Sequence, residues 1–205
     1  MASASAGKGW KLLLAIDTSA GTSTAVFDGD KLLGFVEYDD PFGHAENIGN
    51  AMAEVMAKAN IFASEVTAVA IGRGPAPYTG LRVGMAAGTS FATALGVPLY
   101  SVMNLDAVAL SHGQAKILVT SDAKRKELFV ATYDRGERVF GPAVLKPEEL
   151  GQFDTFSPVD GKCNAELVGK YAIWANALGL DLSDSSALYL RSPDVAPSAG
   201  KRVTG

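Results

Sequence analysis

Cysteine is almost absent from this sequence: among 205 residues only Cys163 carries a thiol. An intramolecular disulfide and a cysteine-cluster metal site are therefore excluded, and the composition fits a reducing compartment. Histidine is nearly as scarce, with His44 and His112 alone, which leaves little for a histidine-based metal centre. An excess of positive charge is missing too. The formal net charge is −4, so the chain has no broad attraction for phosphate backbones and autonomous nucleic-acid binding starts at a disadvantage. The first residues contain no apolar signal region, and residues 12–16 are too few to supply one, so no targeting segment is read and a cytoplasmic location is expected. The uncharged stretch at residues 83–105 is broken by Gly84, Gly88, Thr89, Ser90, Thr93, Gly96, Pro98 and Asn104. A membrane span needs about 20 predominantly apolar residues. A buried helix followed by a strand fits this stretch better, and no membrane contact is expected.

What is present is core material. Hydrophobic residues make up 48% of the chain and charged residues 20%, ample for one large domain or two small ones. Residues 11–16 read as a buried strand that runs into Asp17-Thr18-Ser19. Residues 24–27 and 32–38, joined by the tight-turn signal Asp28-Gly29-Asp30, complete an antiparallel meander. Asp39-Asp40-Pro41 looks like a helix entry. Ala45, Ile48, Met52, Val55, Met56 and Ala59 then fall at offsets of three and four, one face of an amphipathic helix that stops at Asn60. Residues 66–71 read as a fourth strand. A loop rich in glycine and proline follows at 72–80, and a second helix at 81–95 ends at Gly96 and Pro98.

The pattern restarts after residue 101, with a helix at 105–111 and strands at 116–120, 127–133 and 139–145. A helix at 167–178 is closed by Gly179, and the tail after Pro193 reads as loosely ordered. No internal repeat is visible. The expected architecture is α/β: two small lobes with mixed sheets, residues 1–105 and 106–205.

Two segments have the residue types for chemistry. Asp17, Thr18 and Ser19 end a strand, where backbone N–H groups and hydroxyls can hold a phosphate and a carboxylate can organise a hydrated magnesium ion. A satisfied turn made of the same residues is the plainer alternative. The second segment is Gly72-Arg73-Gly74-Pro75-Ala76-Pro77-Tyr78-Thr79-Gly80-Leu81-Arg82-Val83-Gly84. It lacks the Gly-Lys-Ser/Thr of a P-loop and the spaced glycines of a dinucleotide fingerprint. Gly84, Gly88 and Ala92 continue from it at intervals of four. Glycine within a helix costs roughly 0.5–1 kcal/mol relative to alanine, so this stripe implies close backbone approach, either to the lobe's own sheet or to another helix.

The loop from Gly72 to Gly84 resembles the hallmark loop of the TsaB and TsaD proteins, which make the threonylcarbamoyladenosine modification of tRNA. Leu14-Ala15-Ile16-Asp17-Thr18-Ser19, Ser121-Asp122-Ala123-Lys124-Arg125-Lys126-Glu127-Leu128-Phe129 and Tyr189-Leu190-Arg191 agree with it. Ala76-Pro77 departs from the glycine-serine usual in the family. The resemblance implies the actin-like ATPase (ribonuclease H-like) fold. It gives Gly72, Gly74, Tyr78, Thr79, Gly80 and Arg82 the role of shaping the loop. Gly80 is expected at a positive φ and Arg82 against a carboxylate or the loop carbonyls. Asp17, Thr18 and Ser19 become a vestigial phosphate loop.

The catalytic branch of that family holds a metal through two histidines four residues apart on a helix, a spacing that puts both rings on one face. Here the aligned positions are Asn104 and Val108, neither able to restore the pair, and Asp106 cannot build a site alone. The resemblance therefore implies an accessory subunit with no metal, no cofactor and no catalytic residue of its own. Its partners would be a TsaD-like catalytic subunit and, in the larger complex, a TsaE-like ATPase, with tRNA reached only through the complex and a homodimer when alone. The family pattern places the partner surface on the two first-lobe helices, at Ile48, Met52, Val55, Met56, Gly84, Met85 and Gly88, unless that face packs on its own sheet. A small-molecule kinase of the same fold, a metallopeptidase homologue and a purely structural domain are the competing readings.

Overall fold

The computed structural model describes residues 10–40 and 42–190. Pro41, Arg191 and the tail after Pro193, on which expectations were placed above, lie outside them.

Strands β1 (Leu12–Asp17), β2 (Thr22–Asp28) and β3 (Lys31–Tyr38) form the expected meander. Helix α1 (His44–Ala59) follows and ends at Asn60, whose φ of 54° turns the chain out of the helix. A 3-10 turn at Ala63–Glu65 precedes β4 (Ala68–Gly72), then come α2 (Tyr78–Leu95), β5 (Leu99–Val102) and α3 (Asn104–Leu110). The second half contains β6 (Ile117–Asp122), β7 (Leu128–Asp134), β8 (Glu137–Leu145), β9 (Ser157–Asp160) and α4 (Ala165–Ala177).

The strands make two sheets, β3-β2-β1-β4-β5 and β8-β7-β6-β9. In each, an antiparallel meander pairs its first strand in parallel with a later one: β1 with β4, and β6 with β9. The second sheet thus repeats the arrangement of the first with one strand fewer.

β1 is buried along its whole length because helices cover both faces of its sheet. Alternate side chains go to opposite sides. Leu14, Ile16, Val26, Val69 and Ile71 meet α1 and α2, whereas Leu13, Ala15, Ala25, Phe27, Ala68 and Ala70 meet α3 and α4. Four alanines on the second side let α4 come close. Gly169 takes this furthest, since a Cβ there would stand 2.2 Å from the ring of Phe27. A cut at residue 105 falls between the two sheets, yet α4, from beyond the cut, covers the first sheet while α3 bridges α4 to β6 and β7. The two sheets therefore share one continuous core.

Candidate functional site

The carboxyl ends of β1 and β4 and the start of α3 meet at one buried polar node. Asp17, which ends β1, is 1% exposed. Its Oδ1 accepts hydrogen bonds from the Ser19 N–H (3.0 Å) and Ser19 Oγ (2.6 Å), and its Oδ2 accepts one from Asn104 Nδ2 at 2.5 Å. Asn104 Nδ2 also donates to Ser19 Oγ at 2.9 Å. On its other side, Asn104 Oδ1 accepts from the Gly74 N–H, and the Asn104 N–H donates to the Gly74 carbonyl, both at 2.8 Å. Gly72 is required by contact: a Cβ there would lie 2.1 Å from Asp17 Oδ2. Gly74 is required by conformation, with a φ of 96°. Burial pushes the Asp17 carboxyl above its ordinary range, and the bonds from Ser19 and Asn104 oppose that rise.

Thr18, the next residue, ties this node to α2. Its Oγ1 donates to the Gly80 carbonyl (2.8 Å) and accepts from the Gly84 N–H (3.0 Å). His44, the first residue of α1, is buried beside it, with Nδ1 3.2 Å from Thr22 Oγ1. Gly80 lies within α2, so the expected positive φ is not what selects glycine. A Cβ at 80 would stand 2.7 Å from His44 Nε2 and 2.9 Å from the Thr18 carbonyl oxygen.

Between the lobes lies a cleft of about 620 Å³, lined on one side by Thr18, Ser19, Ala20 and Thr79, with Phe42, Pro75, Ala76 and Pro77 adding apolar surface. The opposite wall carries Asp122, Lys124, Asp160 and Lys162. Lys124 is paired with Asp122 at 2.9 Å and Lys162 with Asp39 at 3.2 Å. Asp17 does not line this cleft. Its carboxylate is turned into the protein and committed to Ser19 and Asn104, which favours the satisfied turn over a magnesium-organising acid.

The glycine-rich loop is also held from outside by residues 182–189, a strap without regular structure that the sequence did not disclose. The Leu182 carbonyl accepts from the Ser101 N–H of β5, and the Leu188 N–H donates to the Arg73 carbonyl. Arg73 pairs with Asp184 and reaches Ser186. Arg82 Nε donates to Tyr189 Oη at 2.7 Å, and its guanidinium lies 5.5 Å from the centre of that ring. The aromatic partner was not foreseen.

Asn104 and Val108 both sit on α3 and both are buried. Every side-chain polar group of Asn104 is engaged in the node, and valine offers no donor atom. Asp106 is held by the Tyr133 hydroxyl at 2.7 Å with Arg138 at 3.7 Å, and burial raises its pKa. Among the described residues no three His, Cys, Asp or Glu side chains could hold a metal ion together. The residues present do not fit the family's two-histidine metal.

The seven residues expected at a partner surface separate into two groups. Val55, Met52, Gly84 and Gly88 face inward. Met52 and Val55 pack on the first sheet, Gly84 lies against Thr18, and a Cβ at Gly88 would come 2.3 Å from Ile71. These four are corrected to core positions, where close packing selects apolar or glycine residues. Ile48, Met56 and Met85 are half-buried at the margin of the same cluster. Sequence periodicity could not separate the cases, since an apolar helix face against a sheet and one against a partner have the same spacing.

A family model described as TsaD, tRNA N6-adenosine threonylcarbamoyltransferase, matches residues 42–185. An uncharacterized protein of Mycobacterium leprae is 35% identical over 203 residues, covering 91% of this chain and 56% of that one, so the chain spans little more than half of that relative. The tRNA threonylcarbamoyladenosine biosynthesis protein TsaB of Escherichia coli is 27% identical over 145 residues, covering 66% of this chain and 63% of that one. The solved structure of YeaZ from Pseudomonas aeruginosa superposes with a TM-score of 0.71 at 24% identity, covering 88% of this chain and 100% of that chain. No helix among the described residues is long and apolar enough to cross a membrane.

Proposed function

The chain belongs to the TsaD family, as a TsaB/YeaZ-type member with the actin-like ATPase fold, and on that premise we propose that it is a non-catalytic accessory subunit in forming N6-threonylcarbamoyladenosine on ANN-decoding tRNAs. The observation that carries this reading is the use made of Asn104. The position that resembles a metal-ligand position of the catalytic branch is here a structural fastener between Asp17, Ser19 and Gly74. A side chain so committed holds the fold's central junction together and has no free atom for a metal or substrate.

The subunit acts by binding a TsaD-like catalytic subunit as a heterodimer in the cytoplasm. A TsaE-like ATPase joins the larger complex, and tRNA is met only there. The docking surface is the outward side of α1 and α2, where Ala53 and Ala86 are exposed; in the isolated chain the same surface supports a homodimer. Small residues suit this role because they let helices from two molecules approach closely. The test is co-purification with a TsaD-like subunit, followed by measurement of modified tRNA with and without this chain. Ala53→Arg and Ala86→Arg should stay folded and lose the complex. Unchanged binding by both variants would refute the surface, and modified tRNA made by this chain alone would refute the accessory role.

A further inference from the structure

Thr18 has a contact that its position in a strand-end turn does not require. Its hydroxyl joins the Gly80 carbonyl and the Gly84 N–H, the two ends of one i to i+4 step of α2. Two glycines make the room: a Cβ at 84 would stand 2.3 Å from Thr18 Oγ1, and one at 80 would stand 2.9 Å from the Thr18 carbonyl oxygen. The same turn reaches α1 through Thr22 and His44. Meanwhile Thr18, Ser19 and Ala20 line the inter-lobe cleft. A few residues thus connect the wall of the cleft to the first turns of both helices.

This contact has two satisfied positions. With the hydroxyl inserted, it shares the Gly80 carbonyl and the Gly84 N–H. With the hydroxyl withdrawn, those two groups pair with each other in ordinary helical geometry, and no buried backbone group is left without a partner. What differs is how deeply the turn sits against α2, and with it the shape of the cleft. We propose that the Thr18 hydroxyl is a two-position latch that couples the inter-lobe cleft to the α1–α2 surface. The consequence for a partner rests on the accessory-subunit reading; the latch itself is a property of the chain alone.

Amide hydrogen exchange on the full chain tests it without any partner. Thr18→Val replaces the hydroxyl with a methyl of the same shape, and Thr18→Ser keeps the hydroxyl. Thr18→Val should speed exchange in residues 81–88 about fivefold, the factor that one hydrogen bond of ordinary net strength represents, while Thr18→Ser stays at the wild-type rate. Ala20→Trp, which crowds the cleft wall, should speed exchange at the same amides in the wild-type background and add nothing in the Thr18→Val background. Should Thr18→Val fail to fold, Gly84→Ala expels the hydroxyl while α2 keeps its own pairing, and Ala20→Trp must again be silent at α2. Wild-type exchange in Thr18→Val, a Thr18→Ser variant that behaves like it, or additive effects of Ala20→Trp would each overturn the latch. Loss of the accessory-subunit reading would appear elsewhere, as no complex with a catalytic subunit, and would leave these rates untouched.

Discussion

Replacing Asn104 with alanine is the perturbation on which most of the site depends. The side chain makes three hydrogen bonds inside the node, to the Gly74 N–H, Asp17 Oδ2 and Ser19 Oγ. Truncation leaves the Gly74 N–H without its acceptor and Asp17 Oδ2 without its donor, at positions water does not reach. An orphaned buried group costs about 1–3 kcal/mol, more when it carries charge. Two such groups put the loss at roughly 3–5 kcal/mol, a large part of the about 5–15 kcal/mol that holds a typical domain folded. At about 2–4 °C per kcal/mol for a chain of this size, Tm should fall by roughly 6–20 °C in calorimetry at neutral pH.

The deficit also has a pH signature. Burial raises the folded Asp17 pKa above 3.8, so in the window between 3.8 and the raised value the folded state holds the proton more tightly than the unfolded chain, and stability falls as pH rises. The Asn104 donor opposes that rise. Removing it widens the window, so the deficit of Asn104→Ala should grow from acid toward neutral pH. Asn104→Asp should show this more strongly, because two adjacent buried carboxyls cannot both ionise. A loss below about 1 kcal/mol at pH 7, less than one orphaned group should cost, or a deficit that grows toward acid, would refute the assignment of Asn104 as the fastener.

Gly80→Ala should lower stability by about 1–3 kcal/mol, the usual cost of overpacking, because its Cβ meets His44 and the Thr18 backbone; chemical denaturation measures it. Gly169→Ala should cost a similar amount by driving a methyl into the Phe27 ring, and its unfolding should remain a single transition because α4 belongs to the shared core. Asp184→Asn should free the strap at residues 182–189, seen as faster limited proteolysis there with little change in Tm. The Asp184 pKa is lowered to about 2, through hydrogen bonds from Ser186 and then Arg73. Its contribution is therefore present above 3.8 and lost as pH falls through about 2, so wild-type and variant cleavage rates should converge in strong acid.

Where chain-local periodicity decides structure, the sequence was legible. The meander, both first-lobe helices, α4 and the stop at Asn60 follow from apolar spacing and turn residues. β9 was not visible, because Ser157-Pro158-Val159-Asp160 has no apolar alternation and owes its strand to parallel pairing with β6. The strap was hidden for a related reason: Leu182 and Leu188 are fixed by bonds to Ser101 and Arg73, far away in sequence. The node shows the same limit in the site itself. Asp17, Gly72 and Asn104 were each singled out, but as a phosphate-loop acid, a loop glycine and a lost ligand. One geometric fact joins them: the ends of β1 and β4 and the start of α3 converge, so a carboxylate, the bare backbone of a glycine and an amide fit together. Spacing cannot report that convergence, because the three residues lie on different elements. The chemistry of the residue types, hydrogen-bonding side chains where an apolar core would be expected, was the available signal. It marked the place correctly and left open whether those groups faced a ligand or each other.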